Sequence, residues 1–244
     1  MRASIFQQRG RLVSGPGLVA SQEVLKKACR LLALITFFVM GIVHHGMAAD
    51  APLRILALGD SLTAGYGLED LGDAFPAQLE KALKAKGHNV VLLQGGISGD
   101  TTSGGRSRLE WSLGEKPDAV IVELGGNDAL RAVDPKVTAD NLAAIVNRVQ
   151  QAGLPVLLAG MMAPPNLGRD YADRFNGIYT KVAKEAGVLL YPFFLQDVIT
   201  VADLMQGDHI HPNPKGVKVI VKGILPVAEK LIEQAKARRA KAAP

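Results

Sequence analysis

Three side chains that could carry out nucleophilic catalysis lie far apart in the sequence. Ser61 lies just beyond the apolar run 53–58, whereas Asp208 and His211 lie three residues apart near the carboxyl terminus. A serine hydroxyl is a weak nucleophile until an imidazole takes its proton. The imidazole in turn needs a carboxylate that fixes its tautomer and stabilises its charge. The chain therefore contains the residue types of a Ser–His–Asp triad, provided that the fold brings them together.

The first 49 residues are typical of a secretory signal peptide. Three basic residues within 26–30 precede a 13-residue apolar run, 31–43, and small residues that include Ala48 and Ala49 follow it. This order is typical of a cleaved leader, and the run falls short of the ~20 residues that span a bilayer. We expect cleavage after Ala48 or Ala49, one mature domain over 50–244 and no stable membrane span. The alternative is an uncleaved amino-terminal anchor.

Charge and cysteine content exclude some classes of protein. The whole chain has a formal net charge of +5, but residues 1–49 hold six of its basic residues and one of its acidic residues, which leaves 22 of each. The basic pI is therefore no indication of nucleic-acid binding. The single cysteine, Cys29, precedes the apolar run of the leader, so the mature part has no disulfide. These features fit a bacterial periplasmic or secreted enzyme, which we expect to be a monomer.

Short apolar runs alternate with amphipathic stretches through the mature part. The runs 119–122 and 156–159 are apolar throughout, as in strands buried on both faces of a parallel sheet. Gly87, Gly153 and Gly187 each separate a helical stretch from a strand, as helix C-cap glycines do. The alternation predicts an α/β fold, a three-layer α/β/α sandwich with a five-stranded parallel sheet and right-handed crossovers. The predicted strands are 53–58, 89–93, 119–124, 155–159 and 187–191, and the predicted helices are 75–86, 102–113, 137–152, 171–186 and 215–237.

Four polar segments lie at, or close behind, the carboxyl ends of predicted strands, where ligands bind in such sheets. Taken singly, each is ambiguous. A Gly-Asp-Ser at a strand end is usually a helix N-cap, a Gly-Gly-Asn-Asp run is usually a turn, and a histidine before proline is usually a loop residue. Their joint occurrence in this order favours an active site. The segments are Gly59–Leu62, Gly95–Thr102, Gly125–Asp128 and Asp208–Asn213.

These segments resemble the blocks of the GDSL, or SGNH, hydrolase superfamily, and within it the bacterial thioesterase I/lysophospholipase group, often called arylesterases. The resemblance extends over about 53–232. It implies a flavodoxin-like fold and a serine esterase that hydrolyses carboxylic esters or thioesters of a small acyl substrate, lipids included, without a cofactor. The matching stretches are Gly59–Gly67, Ile97–Thr101, Val122–Asp128, Tyr191–Phe194 and Asp208–Asn213.

The resemblance also implies a role for each site residue. Ser61 would be the nucleophile, His211 the general base and later the acid, and Asp208 the residue that orients the imidazole. The backbone N–H groups of Ser61 and Gly99 and the side-chain amide of Asn127 would form the oxyanion hole. Glycine at 99 suits a close approach of backbone to substrate. A neutral amide at 127 suits the stabilisation of negative charge without titration.

Two loops are candidates for an acyl-chain groove. In relatives, the loops that correspond to 129–133 and 161–167 flank such a groove. The substrate-binding candidates here are Leu130, Met162 and Pro164. The same residues could equally be ordinary packing, and the sequence leaves both interpretations open.

Other polar residues near these segments have structural interpretations. His88 is predicted to be a surface residue in a turn at the opposite end of the sheet, whereas His209 could line the mouth of the site. Asp60, Asp100 and Asp128 are expected to hydrogen-bond backbone groups and fix loops.

Two nucleotide-binding motifs that the glycine-rich segments could suggest are incomplete. No lysine follows the glycines of 95–105, as a phosphate-binding loop requires, and Asp70 stands where a dinucleotide fingerprint needs its third glycine. No zinc spacing is present, so we predict no metal.

Two other functions remain as alternatives. A carbohydrate O-deacetylase would favour aromatic sugar platforms, but Trp111 is the only tryptophan. A non-catalytic binding module would have no need of the complete Ser/Gly/Asn/His set.

Overall fold

A five-stranded parallel sheet lies at the centre of the computed structural model, which describes residues 51–242. The predicted leader and its cleavage site lie outside the described residues. The strands are β1 (Leu53–Gly59), β2 (Val90–Gly96), β3 (Ala119–Glu123), β4 (Val156–Ala159) and β5 (Leu189–Tyr191). Their order across the sheet is β2-β1-β3-β4-β5, all parallel. This is the flavodoxin-like order, and the predicted α/β sheet is confirmed.

Helices cover both faces of this sheet, and every residue of β3 and β4 is therefore buried. The helices are α1 (Ser61–Ala64), α2 (Phe75–Ala85), α3 (Thr102–Ser107), α4 (Leu109–Leu113), α5 (Gly126–Leu130), α6 (Pro135–Gln151), α7 (Arg169–Asn176), α8 (Ile178–Ala186) and α9 (Pro214–Ala242). Helix α9 packs on α2, and α6 packs on α3 and α8. None of the helices within 51–242 is long and apolar enough to cross a membrane.

The chain reverses its direction across the sheet at β1. It passes from β1 to β2 on one side and then returns to β3 on the other side of β1. The last ladder pairs set Gly59 of β1 opposite Gly96 of β2 and Glu123 of β3. Such a reversal opens a crevice beyond the carboxyl ends of the strands. The segments that follow β1, β2 and β3 therefore meet at one place.

Two predicted helices are divided in the structure. The stretch predicted as 102–113 breaks at Arg108, where the backbone has φ −97° and ψ 2°. The stretch predicted as 171–186 divides at Gly177, a residue with low helix propensity. Helix α6 begins at Pro135, two residues earlier than predicted, because the Asp134 side chain accepts a hydrogen bond from the Lys136 N–H and proline suits the first helical position. The three predicted C-cap glycines have positive φ, as expected: Gly87, Gly153 and Gly187.

Candidate active site

Ser61 begins the short helix α1 immediately beyond β1. The preceding residue, Asp60, caps this helix, since its Oδ1 accepts a hydrogen bond from the Leu62 N–H at 3.0 Å. Gly65 ends the helix with φ +80°, a conformation that glycine adopts without steric cost. This strand–turn–helix arrangement presents the half-buried Ser61 side chain to the crevice.

The structure brings His211 to Ser61 across 150 positions of sequence. His211 Nε2 lies 2.9 Å from Ser61 Oγ, and His211 Nδ1 lies 2.6 Å from Asp208 Oδ2. A carboxylate can only accept, so Nδ1 carries the proton and Nε2 is free to accept the Ser61 hydroxyl. The three side chains therefore form one hydrogen-bonded chain in the order that proton transfer from serine requires.

Asp208 is stabilised in its charged form. Partial desolvation acts to raise its pKa, but hydrogen bonds from the His211 ring, the His211 N–H and the Ile210 N–H outweigh it and lower the pKa to about 2. Asp208 is therefore ionised at neutral pH and can stabilise a positively charged imidazole.

Gln206 joins the loop that carries His211 to the segment after α1 through hydrogen bonds. The Gln206 N–H donates to the His211 carbonyl at 2.8 Å, and Nε2 donates to the carbonyls of Tyr66 at 2.8 Å and Pro212 at 3.0 Å. The Tyr66 ring lies against the His211 imidazole with their centroids 4.7 Å apart. Sequence reasoning missed Gln206, because a glutamine in a loop has no distinctive local pattern.

The three predicted oxyanion donors face a common space. Ser61, Gly99 and Asn127 all line the cavity in which His211 lies. Gly99 has φ +84° in a turn closed by the Asp100 N–H and the Ile97 carbonyl at 3.1 Å. Asn127 lies in the first turn of α5. The arrangement presents neutral N–H donors near the Ser61 hydroxyl.

A pair of buried carboxyl groups, Asp60 and Glu123, lies close to Ser61. Burial raises the pKa of Asp60 to about 6, although hydrogen bonds from the Leu62 N–H and the Asn127 amide act to lower it. Burial, assisted by the charge of Asp60, raises the pKa of Glu123 well above its usual value. Glu123 Oε2 accepts a hydrogen bond from Thr63 Oγ1 at 2.7 Å. Sequence reasoning assigned Glu123 no role, although an acidic residue ending an apolar strand was a visible signal.

The other acidic residues fix loops, with one difference from the prediction. Asp128 accepts hydrogen bonds from the N–H and hydroxyl of Thr102 and thereby joins the loop after β2 to α5. Asp100 was expected to bond backbone, but its carboxylate instead pairs with Arg108 at 2.6 Å. A guanidinium is a stronger donor to a carboxylate than a backbone amide is.

The two histidines that were assigned no catalytic role, His88 and His209, have different environments. His88 was predicted at the surface, but its side chain is only 15% exposed and its Nε2 lies 3.4 Å from Glu229 Oε1. Helix α9 covers this turn, which the local sequence does not reveal. His209 lines the active-site cavity and has φ +56°.

A largely apolar cavity of about 660 Å³ opens beside Ser61. The three substrate-binding candidates, Leu130, Met162 and Pro164, all line it. Leu130 is 53% exposed and Met162 is 49% exposed, whereas the neighbouring Met161 is 5% exposed. Leu130 and Met162 therefore bound open space, while Met161 packs in the core. Among residues 51–242 no group of three or more His, Cys, Asp or Glu side chains is placed to hold a metal ion.

Comparison with known proteins yields consistent matches. The profile of the GDSL-like lipase/acylhydrolase family matches residues 57–219. An arylesterase of Vibrio mimicus is 41% identical over 187 residues, which cover 76% of this chain and 90% of the relative. Thioesterase 1/protease 1/lysophospholipase L1 of Escherichia coli K12 is 40% identical over 177 residues, or 72% of this chain and 82% of the relative. The crystal structure of TesA has a TM-score of 0.70 and 38% identity, covering 73% of this chain and 99% of that one.

Proposed function

Since the chain belongs to the GDSL-like lipase/acylhydrolase family, we propose that it is a serine hydrolase that cleaves carboxylic esters and thioesters through an acyl-enzyme on Ser61. The observation that carries the proposal is the hydrogen-bonded chain from Ser61 Oγ through His211 to Asp208, at 2.9 and 2.6 Å. The names of the relatives, arylesterase and thioesterase/lysophospholipase, point to the same class of bond.

Acylation begins when the substrate carbonyl carbon lies next to Ser61 Oγ. His211 Nε2 takes the hydroxyl proton as Oγ forms a bond to that carbon, and the carbonyl π electrons move to its oxygen. The backbone N–H groups of Ser61 and Gly99 and the Asn127 amide donate to this oxyanion. Asp208, ionised at neutral pH, stabilises the imidazolium that forms.

The second half of acylation and the deacylation use the same side chains, with His211 acting first as an acid and then again as a base. The oxyanion reforms the carbonyl as the bond to the leaving oxygen or sulfur breaks, and His211 Nε2 donates its proton to the leaving group. Water then attacks the acyl-enzyme while His211 accepts one of its protons. Collapse of the second tetrahedral intermediate returns the proton to Ser61 Oγ and releases the acid.

The acyl group of the substrate occupies the apolar cavity. Leu130, Met162 and Pro164 line this space beside Ser61, and burial of each methylene there is worth about 0.8 kcal/mol. The cavity therefore suits acyl chains longer than acetyl, which includes lipid esters. Trp111, the tryptophan that a sugar platform would use, lies on α4 and does not line the cavity. The geometry thus favours an acyl-chain esterase over a carbohydrate deacetylase.

We further propose that residues 1–49 direct export and are removed, so that a monomer acts in the periplasm or outside the cell. The charge order and apolar run of this segment support the proposal. Fractionation of cells that express the full chain, with amino-terminal sequencing, tests it. A mature protein that starts near residue 50 is expected, and a full-length cytoplasmic protein would contradict export.

The central test is covalent labelling of the nucleophile. A fluorophosphonate is expected to modify Ser61, as mapped by mass spectrometry, and to abolish hydrolysis of nitrophenyl esters. Ser61→Ala is expected to lose both labelling and hydrolysis while the circular dichroism spectrum is unchanged. Labelling elsewhere, or survival of most activity in Ser61→Ala, would contradict the proposal.

A further inference from the structure

Arg108, at the break between α3 and α4, joins the end of β1 to the loop after β2. Its Nη2 donates to the Gly59 carbonyl at 2.8 Å, and its Nε donates to Asp100 Oδ2 at 2.6 Å. The side chains of Arg108 and Asp100 are 14% and 18% exposed, so water screens their interaction little. The planar guanidinium can hold both partners at once because its N–H groups are fixed in one fork.

Each partner of Arg108 lies next to a proposed oxyanion donor. Gly59 is two residues before Ser61, and Asp100 directly follows Gly99. The ladder between β1 and β2 ends where Gly59 pairs with Gly96, and a bond from the Ile97 N–H to the Gly59 carbonyl follows it. Arg108 adds a cross-link from the Gly59 carbonyl, at the end of this ladder, to Asp100 in the loop after β2.

Asp100 contributes both its backbone and its carboxylate to the contacts of the Gly99 loop. The Asp100 N–H closes the turn that contains Gly99. The carboxylate lies tightly over α3, since a β-carbon at Gly104 would collide with Asp100 Oδ1. The N–H that closes the turn and the carboxylate that pairs with Arg108 thus belong to one residue, so the pair restrains the turn that contains Gly99.

We infer that Arg108 is a positioning residue that sets the separation and direction of the Ser61 and Gly99 N–H groups. The inference rests on the proposed acyl transfer. Donors stabilise an oxyanion well only if they are fixed before the reaction, and displacement by more than about 0.5 Å weakens that effect. Arg108 does not line the cavity, so its loss affects the transition state more than the binding of substrate.

The test compares Arg108→Gln and Arg108→Lys with the matched control Arg148→Gln. Arg148 forms an exposed two-bond pair with Glu110 at 2.6 and 2.8 Å, on the outer side of α4 and α6. Arg108→Gln is expected to lower kcat about tenfold or more with KM within about twofold. Arg108→Lys is expected to lose less, and Arg148→Gln is expected to match the wild type.

Chemical rescue separates positioning from stability. Guanidinium ion at non-denaturing concentration is expected to raise the kcat of Arg108→Ala and to leave that of Arg148→Ala unchanged. Should Arg108→Gln fail to fold, Asp100→Asn keeps the side-chain shape, weakens the same bond and is expected to lower kcat selectively.

Three results would overturn the inference: a wild-type kcat in Arg108→Gln, a loss confined to KM, or a lower melting temperature with a reduced kcat that guanidinium ion does not restore. Fluorophosphonate labelling separates this inference from the proposed function. Failure to label Ser61 in the wild type contradicts the function itself. Normal labelling and turnover in the Arg108 variants contradicts only the role of Arg108.

Discussion

The side-chain amide of Asn127 donates a hydrogen bond to Asp60 Oδ2 at 3.0 Å. Asp60 directly precedes Ser61 and is 1% exposed, so the bond holds the amide against the segment that carries Ser61. An amide nitrogen has two protons. With one held by Asp60, the other can face the cavity that Asn127 lines. The contact therefore orients a donor and ties the loop after β3 to the loop after β1.

Replacement of Asn127 with alanine should remove one oxyanion donor. We expect kcat to fall by about 10²–10³-fold with little change in KM, because the donor acts mainly in the transition state. Steady-state kinetics on a nitrophenyl ester measure both constants. Asn147→Ala, at an exposed position of α6, is the matched control and should behave as the wild type. A rise in KM with unchanged kcat would instead assign Asn127 to substrate binding.

The two histidines of the carboxyl-terminal loop should differ sharply in their effect on turnover. His211→Ala should lower kcat by about 10⁴-fold or more, because Ser61 loses the base 2.9 Å away. His209→Asn should retain most of the activity. Asparagine tolerates the left-handed backbone at this position, φ +56°, so the substitution tests the side chain alone. Comparable losses in the two variants would contradict the assignment of the base to His211.

Asp60 should make stability depend on pH in a defined window. Its pKa is raised to about 6 in the folded protein from 3.8, so the folded state holds the proton more tightly than the unfolded state. The resulting stabilisation is complete below about pH 4 and is lost as pH rises through 6. Asp60→Asn lacks this dependence. The melting temperature of Asp60→Asn minus that of the wild type should therefore rise between pH 4 and 7.

An exposed uncharged residue provides the control for this titration. The same difference for Asn147→Ala, on the outer surface of α6, should stay flat over the range. A flat difference for Asp60→Asn as well would mean that Asp60 titrates as an ordinary surface carboxyl.

The acyl cavity should select for chain length. On nitrophenyl esters of two to twelve carbons, kcat/KM should rise with each methylene that the cavity of about 660 Å³ can bury. Met162→Ser should lower the long-chain values more than the acetyl value. Val137→Ser, which changes an exposed apolar residue of α6 outside the cavity, should leave the profile unchanged. Equal activity on every ester would contradict a shaped groove.

The central part of the fold could be predicted from local pattern. The sequence signals of β3 and β4 are apolar runs, and those that end α2, α6 and α8 are glycines. Each signal involves only a few adjacent residues, and the predicted bounds of β3 and β4 agree with the structure to within about two residues. The break at Arg108 was missed. Its side chain reaches the Gly59 carbonyl, 49 positions away, and no window of local sequence contains that contact.

The sequence by itself determined the alternation of strands and helices and the order of the polar segments that follow the strands. It did not determine that Ser61 Oγ and His211 Nε2 would lie within hydrogen-bond distance, that Asp60 and Glu123 would share a buried site, or that Arg108 would join the end of β1 to the loop after β2. These relationships depend on the strand order and on the burial of groups from distant segments. Desolvation and long-range hydrogen bonds act only once the chain is folded, so only the tertiary structure could decide them.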